Sequence, residues 1–188
     1  GDISVLASGG DIIMENGNGD QRWTRIGHGV GRNDRGDVGG NSLELMGNIR
    51  VEASGNIVVD ASAADSYGQT VNADALNPFY ANLGIGDPSR WNPVTIGHGG
   101  AFGNFGLIVV DEASVNGVAA SSDLEVIAGG DLSITGGNGV AGSYAQVGHG
   151  FSDFEGDSNA NRKNGQNNGF AGDINVSVGG NLNIKGSD

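Results

Sequence analysis

The tetrapeptide Ile/Val-Gly-His-Gly occurs three times, at residues 26–29, 96–99 and 147–150, and it holds every histidine of the chain, His28, His98 and His149. A string that returns with its chemistry intact marks a repeating structural unit, and such a unit restricts the fold more than any composition does. A second string recurs in pairs. Gly1-Asp2-Ile3-Ser4-Val5 leads to Gly10-Asp11-Ile12-Ile13-Met14, and Gly47-Asn48-Ile49-Arg50-Val51 leads to Gly55-Asn56-Ile57-Val58-Val59. Asp123-Leu124-Glu125-Val126 leads to Gly130-Asp131-Leu132-Ser133-Ile134, and Gly172-Asp173-Ile174-Asn175-Val176 leads to Gly180-Asn181-Leu182-Asn183-Ile184. Apolar and polar residues alternate in each, the period of two expected of a strand with one buried face. The Gly-Asp or Gly-Asn step between paired strands is turn chemistry.

The unit is therefore a strand, a Gly-Asp/Asn corner, a second strand, a variable stretch and a short third strand ending in Gly-His-Gly. Three full units and part of a fourth fill residues 1–188, read as one solenoid segment. The histidines at 28, 98 and 149 are 70 and 51 residues apart because of insertions, chiefly residues 65–93, which hold all three prolines, and 153–168. A solenoid admits such variation, since an insertion leaves a coil at its corner without disturbing the stacked strands. Stacking predicts three inward columns: Ile3, Ile49, Leu124 and Ile174; Ile12, Ile57, Leu132 and Leu182; and Ile26, Ile96 and Val147. Residues 42–46 and 107–111 are further strand-like runs, compatible with one long coil per unit or nearly two. The fold expected is all-β, a right-handed parallel β-helix (β-solenoid) with loop insertions, its hand taken from the general chirality of parallel crossovers.

Composition supports that choice. Thirty-seven glycines with 6% aromatic residues suit a chain that needs a small residue at each corner and a narrow apolar row inside. Collagen is excluded, because there is no Gly-X-Y period and there are only three prolines. The net charge of −13 argues against nucleic acid or anionic lipid as a partner. Without cysteine there is no disulfide or thiolate metal site. No apolar run approaches the length of a membrane-spanning helix, so insertion of this segment into a membrane is not expected. The pattern is already running at Gly1, so the expectation is a piece of a longer chain whose targeting signal lies elsewhere.

The paired Gly-Asp-Ile-x-Val and Gly-Asp-Leu-x-Ile strings, followed by Ala145-Gln146-Val147-Gly148-His149-Gly150, resemble the repeats of giant filamentous-haemagglutinin-like adhesins. These are bacterial passengers of the two-partner secretion and autotransporter kind. The resemblance covers the chain apart from its insertions. It implies a right-handed β-helical shaft exported to the bacterial cell surface and associated with the outer membrane. It also implies adhesion to host cells, surfaces, glycans or neighbouring copies of the same protein. The strictest family repeats are nearly uniform in length, and the long inserts here are a departure from them.

Four features are candidate sites. His28, His98 and His149 fall in one column if the coils stack in register. Two imidazoles could share a divalent metal, but no carboxylate recurs beside them, and a structural ladder at the corner is the expectation. Arg35-Gly36-Asp37 is an integrin-type attachment tripeptide in the Gly-rich segment 31–40, though a single short tripeptide in so Gly-rich a chain arises readily by chance. Tyr67, Phe79, Tyr80 and Trp91 in the largest insert offer a glycan-stacking platform, or a local mini-core that pins the insert to the shaft, which is the preferred reading. The acidic stretch 153–159 is where calcium would bind, but it lacks the ordered ligand spacing of known calcium loops and reads as a solvated loop. No cofactor is expected.

The rival class is a β-helical polysaccharide-binding or polysaccharide-cleaving module. Such enzymes converge carboxylates with Lys or Arg on one face. The two lysines, Lys163 and Lys185, and acids placed mostly at corners do not form that pattern. No catalytic residue is assigned, and a non-enzymatic scaffold is expected.

Overall fold

The computed structural model describes residues 1–16, 24–28, 43–62, 94–98, 107–109, 113–115, 118–137, 144–149, 169–170 and 172–186. These residues contain strands and no α-helix. The first pass of the chain forms β1 (Ile3–Ala7), β2 (Ile12–Glu15), β3 (Thr24–Ile26) and β4 (Leu43–Leu45). The second forms β5 (Ile49–Ala53), β6 (Ile57–Asp60), β7 (Val94–Ile96) and β8 (Leu107–Val109). A short pair, β9 (Ala113–Val115) and β10 (Val118–Ala120), precedes the third pass. That pass forms β11 (Leu124–Ala128), β12 (Leu132–Thr135), β13 (Ala145–Val147) and β14 (Gly169–Phe170), and the fourth adds β15 (Ile174–Val178) and β16 (Leu182–Lys185).

Equivalent strands of successive passes lie side by side. The sheets run β1-β5-β11-β15, β2-β6-β12-β16, β3-β7-β13 and β4-β8-β14, and every pairing within them is parallel. The arrangement is all-β, parallel and consistent with a parallel β-helix. Register follows the alternation in the sequence: Ile3 pairs with Ile49, Ile49 with Leu124, and Leu124 with Ile174. Ile12, Ile57, Leu132 and Leu182 align likewise, as do Ile26, Ile96 and Val147. A slip of one residue would turn every apolar side chain of a strand outward, so the alternation pins the register.

Two features go beyond the three-strand unit read from the sequence. The runs around residues 43–45 and 107–109 form β4 and β8, which with β14 make a fourth parallel sheet, so each of the first three passes contributes four strands to the parallel sheets. Between the second and third passes, β9 and β10 pair antiparallel, Val115 opposite Val118. The dipeptide between them is Asn116-Gly117, the strongest short-range hairpin signal a sequence carries.

The core is the interior of the middle coils. Ile49, Val51, Ile57, Val59, Val94, Ile96, Leu124, Val126 and Leu132 are essentially closed to solvent, while Arg50 between Ile49 and Val51 is exposed. A side chain of this class taken fully out of water contributes about 2 kcal/mol. At the last coil the same columns are open: Ile174 is 48% exposed, Val176 43%, Leu182 54% and Ile184 71%. Each coil thus buries its apolar face only against its neighbours. Residues 35–37, 65–93 and 153–168, with the attachment tripeptide, the insert aromatics and the acidic stretch, lie outside the described residues.

Candidate functional site: the histidine column and the corner ladders

The glycine before each histidine dictates where the imidazole goes. Gly27, Gly97 and Gly148 have φ of 151°, 136° and 145°, conformations that residues bearing a Cβ rarely adopt. Space reinforces the requirement: a Cβ on Gly97 would stand 2.0 Å from the Gly148 carbonyl oxygen, and one on Gly27 equally close to that of Gly97. The backbone turns sharply after β3, β7 and β13, and the next side chain stacks on its counterpart in the adjacent coil.

The rings of His28 and His98 are 5.0 Å apart and 8° from parallel, and those of His98 and His149 are 5.1 Å apart at 23°. His28 Nδ1 lies 3.2 Å from His98 Nδ1, and the His98 backbone N–H donates to His149 Nδ1 at 3.4 Å. Gln146 donates to the His149 carbonyl. His98 is fully buried, and no hydrogen-bond partner meets its Nε2. Burial, followed by the neighbouring His149 and His28, pushes the His98 pKa down to about 4, against a smaller opposing effect from the Gly47 carbonyl. His28 is lowered as well, chiefly by burial. At neutral pH His98 is therefore uncharged, and the column behaves as a stack of flat, weakly polar rings. Among the described residues, no group of three or more His, Asp or Glu side chains is placed to hold a metal ion.

The corner Asp and Asn residues act differently from a cap on their own turn. At the corner before the first sheet, Asp2 Oδ1 accepts from the Asn48 backbone N–H, Asn48 Oδ1 from that of Asp123, and Asp123 Oδ1 from that of Asp173. At the corner between the first and second sheets the series runs Asp11 to Asn56, Asn56 to Asp131 and Asp131 to Asn181, at 2.6, 2.8 and 2.7 Å. Each side-chain oxygen satisfies the N–H of the same position one coil on. Asp and Asn both supply a suitable oxygen at that reach, which explains why the two alternate freely in the repeat. A glycine stands ahead of each of them except Asp123, which follows Ser122, and at Gly180 closeness requires it: a Cβ there would meet the Asp131 carboxylate oxygen at 2.2 Å. The sequence signal for these ladders, an Asp or Asn before the strand, is visible, but its partner lies 45 to 75 residues away.

On the outer face of the first sheet Arg50 bridges Glu52 and Glu125, joining two coils. Arg25 Nε donates to Thr95 Oγ1 across the third sheet, and burial lowers the Arg25 pKa. Compared with protein-family models, with curated proteins and with solved structures, the chain matches none.

Proposed function

We propose that this chain is a shaft segment of a large secreted surface protein of the filamentous-haemagglutinin-like kind. In this reading it is a right-handed parallel β-helix that presents its inserts to host cells, surfaces or glycans from the bacterial exterior. The observation that carries the reading is the unbroken register of equivalent strands despite connections of very different length. Residues 16–23 link β2 to β3, whereas residues 61–93 separate β6 from β7, and yet β3 and β7 pair residue for residue. An architecture that keeps its frame while its corners vary separates the load-bearing part from the variable part. The hand follows the chirality of parallel crossovers. The corner carboxylates Asp2, Asp11, Asp123 and Asp131 are engaged with backbone N–H groups of the next coil, a structural use of the residues an enzyme would need as acid and base.

The test compares the full chain with a variant in which residues 65–93 and 153–168 are replaced by short Gly-Ser links. Saturable binding to cells or to a glycan array, lost in the variant while its β-type circular dichroism is kept, is the expected result. Release of new reducing ends from a polysaccharide would overturn the reading in favour of an enzyme. Equal binding by both proteins would place adhesion on the shaft itself.

A further inference from the structure

Three side-chain ladders run along the stack, and they differ in the atom that accepts. In the two corner ladders flanking the first sheet, an Asp or Asn oxygen takes the backbone N–H of the same position one coil on. After the third sheet the acceptor is a ring nitrogen. The backbone ladder there runs as far as the glycine, where the Gly97 N–H donates to the Ile26 carbonyl and the Gly148 N–H to that of Ile96, each at 2.9 Å. The next N–H, that of His98, donates to Nδ1 of His149 in the following coil at 3.4 Å. A neutral imidazole accepts at this nitrogen only with its hydrogen on Nε2. When a proton is added both nitrogens are donors, the bond is lost, and two N–H groups face each other. Carboxylate and amide oxygens go on accepting through the mildly acid range in which an imidazole takes up a proton.

We propose that the His98–His149 contact is an acid-released latch: protonation of the column frees the turn after β7 from the coil beyond it and loosens the third sheet, while the Asp/Asn corners keep the first and second sheets in register. Strand length favours that order of release. β3, β7 and β13 have three residues each, against five in β5 and β11 and four in β6 and β12. The surroundings of the rings do not offset an added charge. Burial opposes a charge on His98, as do His149, His28 and the Gly1 amino group, against a smaller pull from the Gly47 carbonyl. The corner before the first sheet packs on the rings: a Cβ on Gly47 or Gly172 would stand 3.2 Å from His28 or His149. Its carboxylates are Asp2, Asp123 and Asp173, of which Asp2 and Asp123 already accept a backbone N–H from the next coil. Asp2 favours a charge on His28, but burial outweighs it. On the third sheet Arg25 adds a positive charge, bonded to Thr95. The latch concerns regulation and does not rest on what the chain adheres to.

Hydrogen exchange of individual backbone amides tests it, followed by NMR on the full chain at pH 7 and pH 5 and corrected for intrinsic exchange. The expected result is exchange at Gly97 and Gly148 through an opening that low urea leaves unchanged, with protection falling at least about tenfold between pH 7 and pH 5. Ile49 and Leu124 in the first sheet should be better protected at both pH values and should respond to urea. His149→Asn offers a fixed oxygen in place of the ring nitrogen, so it should keep protection near the parent's at pH 7 and lessen the fall. His149→Leu has no acceptor and should lower protection at Gly97 about fivefold already at pH 7, the size of one lost hydrogen bond. Circular dichroism at pH 7 checks that each variant folds. Equal protection of the first and third sheets, no fall at pH 5, an undiminished fall in His149→Asn, or identical Asn and Leu variants at pH 7 overturns the proposal.

Discussion

His28 Nδ1 and His98 Nδ1 face each other at 3.2 Å, so one of the two must carry the hydrogen and the other must accept it. Two neutral rings satisfy this with different tautomers, whereas two imidazolium rings would set like charges against each other, with His98 fully buried. The stack is therefore built for neutral histidine.

Stability should fall on acidification. His98 has a pKa near 4 in the folded chain, against about 6.5 when unfolded. Between those values the unfolded chain binds more protons, so stability is full above pH 6.5 and is lost as pH falls toward 4. The loss from His98 is on the order of 3 kcal/mol. Urea unfolding at a series of pH values measures it. His98→Leu, which keeps the stack filled, should flatten the slope across this window.

The glycines before the histidines should differ in tolerance. Gly97→Ala places a methyl group 2.0 Å from a backbone oxygen at φ 136°. It should cost about 3 kcal/mol or more, enough to prevent cooperative folding in a marginal chain. Gly148→Ala has the same kind of backbone angle, but its nearest neighbour is a side-chain carbon at 3.7 Å. Only backbone strain remains there, about 1–2 kcal/mol. Thermal melts of the two variants rank them.

Removing one rung of a corner ladder should have a modest effect. Asn56→Ala deletes the acceptor for the Asp131 N–H at an exposed corner and should cost about 1 kcal/mol. Asn56→Asp retains the oxygen and should stay close to the parent in chemical denaturation.

Position in the stack should matter more than residue type. Leu124 is closed to solvent between two coils, whereas Leu182, on the inward column of the second sheet in the last pass, is 54% exposed. Leu124→Ala should cost about 2–5 kcal/mol. Leu182→Ala should cost less than about half of that, because solvent already reaches the site. Denaturation midpoints at low protein concentration separate the two.

The strands, their alternation and the three inward columns were legible in the sequence, because a period of two with one apolar face allows a single register and the Gly-Asp/Asn strings mark where each strand begins. The glycine-flanked histidines were legible as one equivalent position for the same reason. The tertiary structure alone decided how far one unit extends. Leu43–Leu45 and Leu107–Val109 are too short and too variably spaced to reveal by pattern that they pair with each other. The hairpin of β9 and β10 had its signal in Asn116-Gly117, but it breaks the repeat and so falls outside the period that guided the reading. The corner ladders were hidden for a deeper reason. Asp2, Asn48, Asp123 and Asp173 look like local turn residues, and only the closing of each coil over tens of residues brings one side chain to the next backbone N–H. Sequence pattern determines what each coil buries; the return of the chain after a coil determines what it touches.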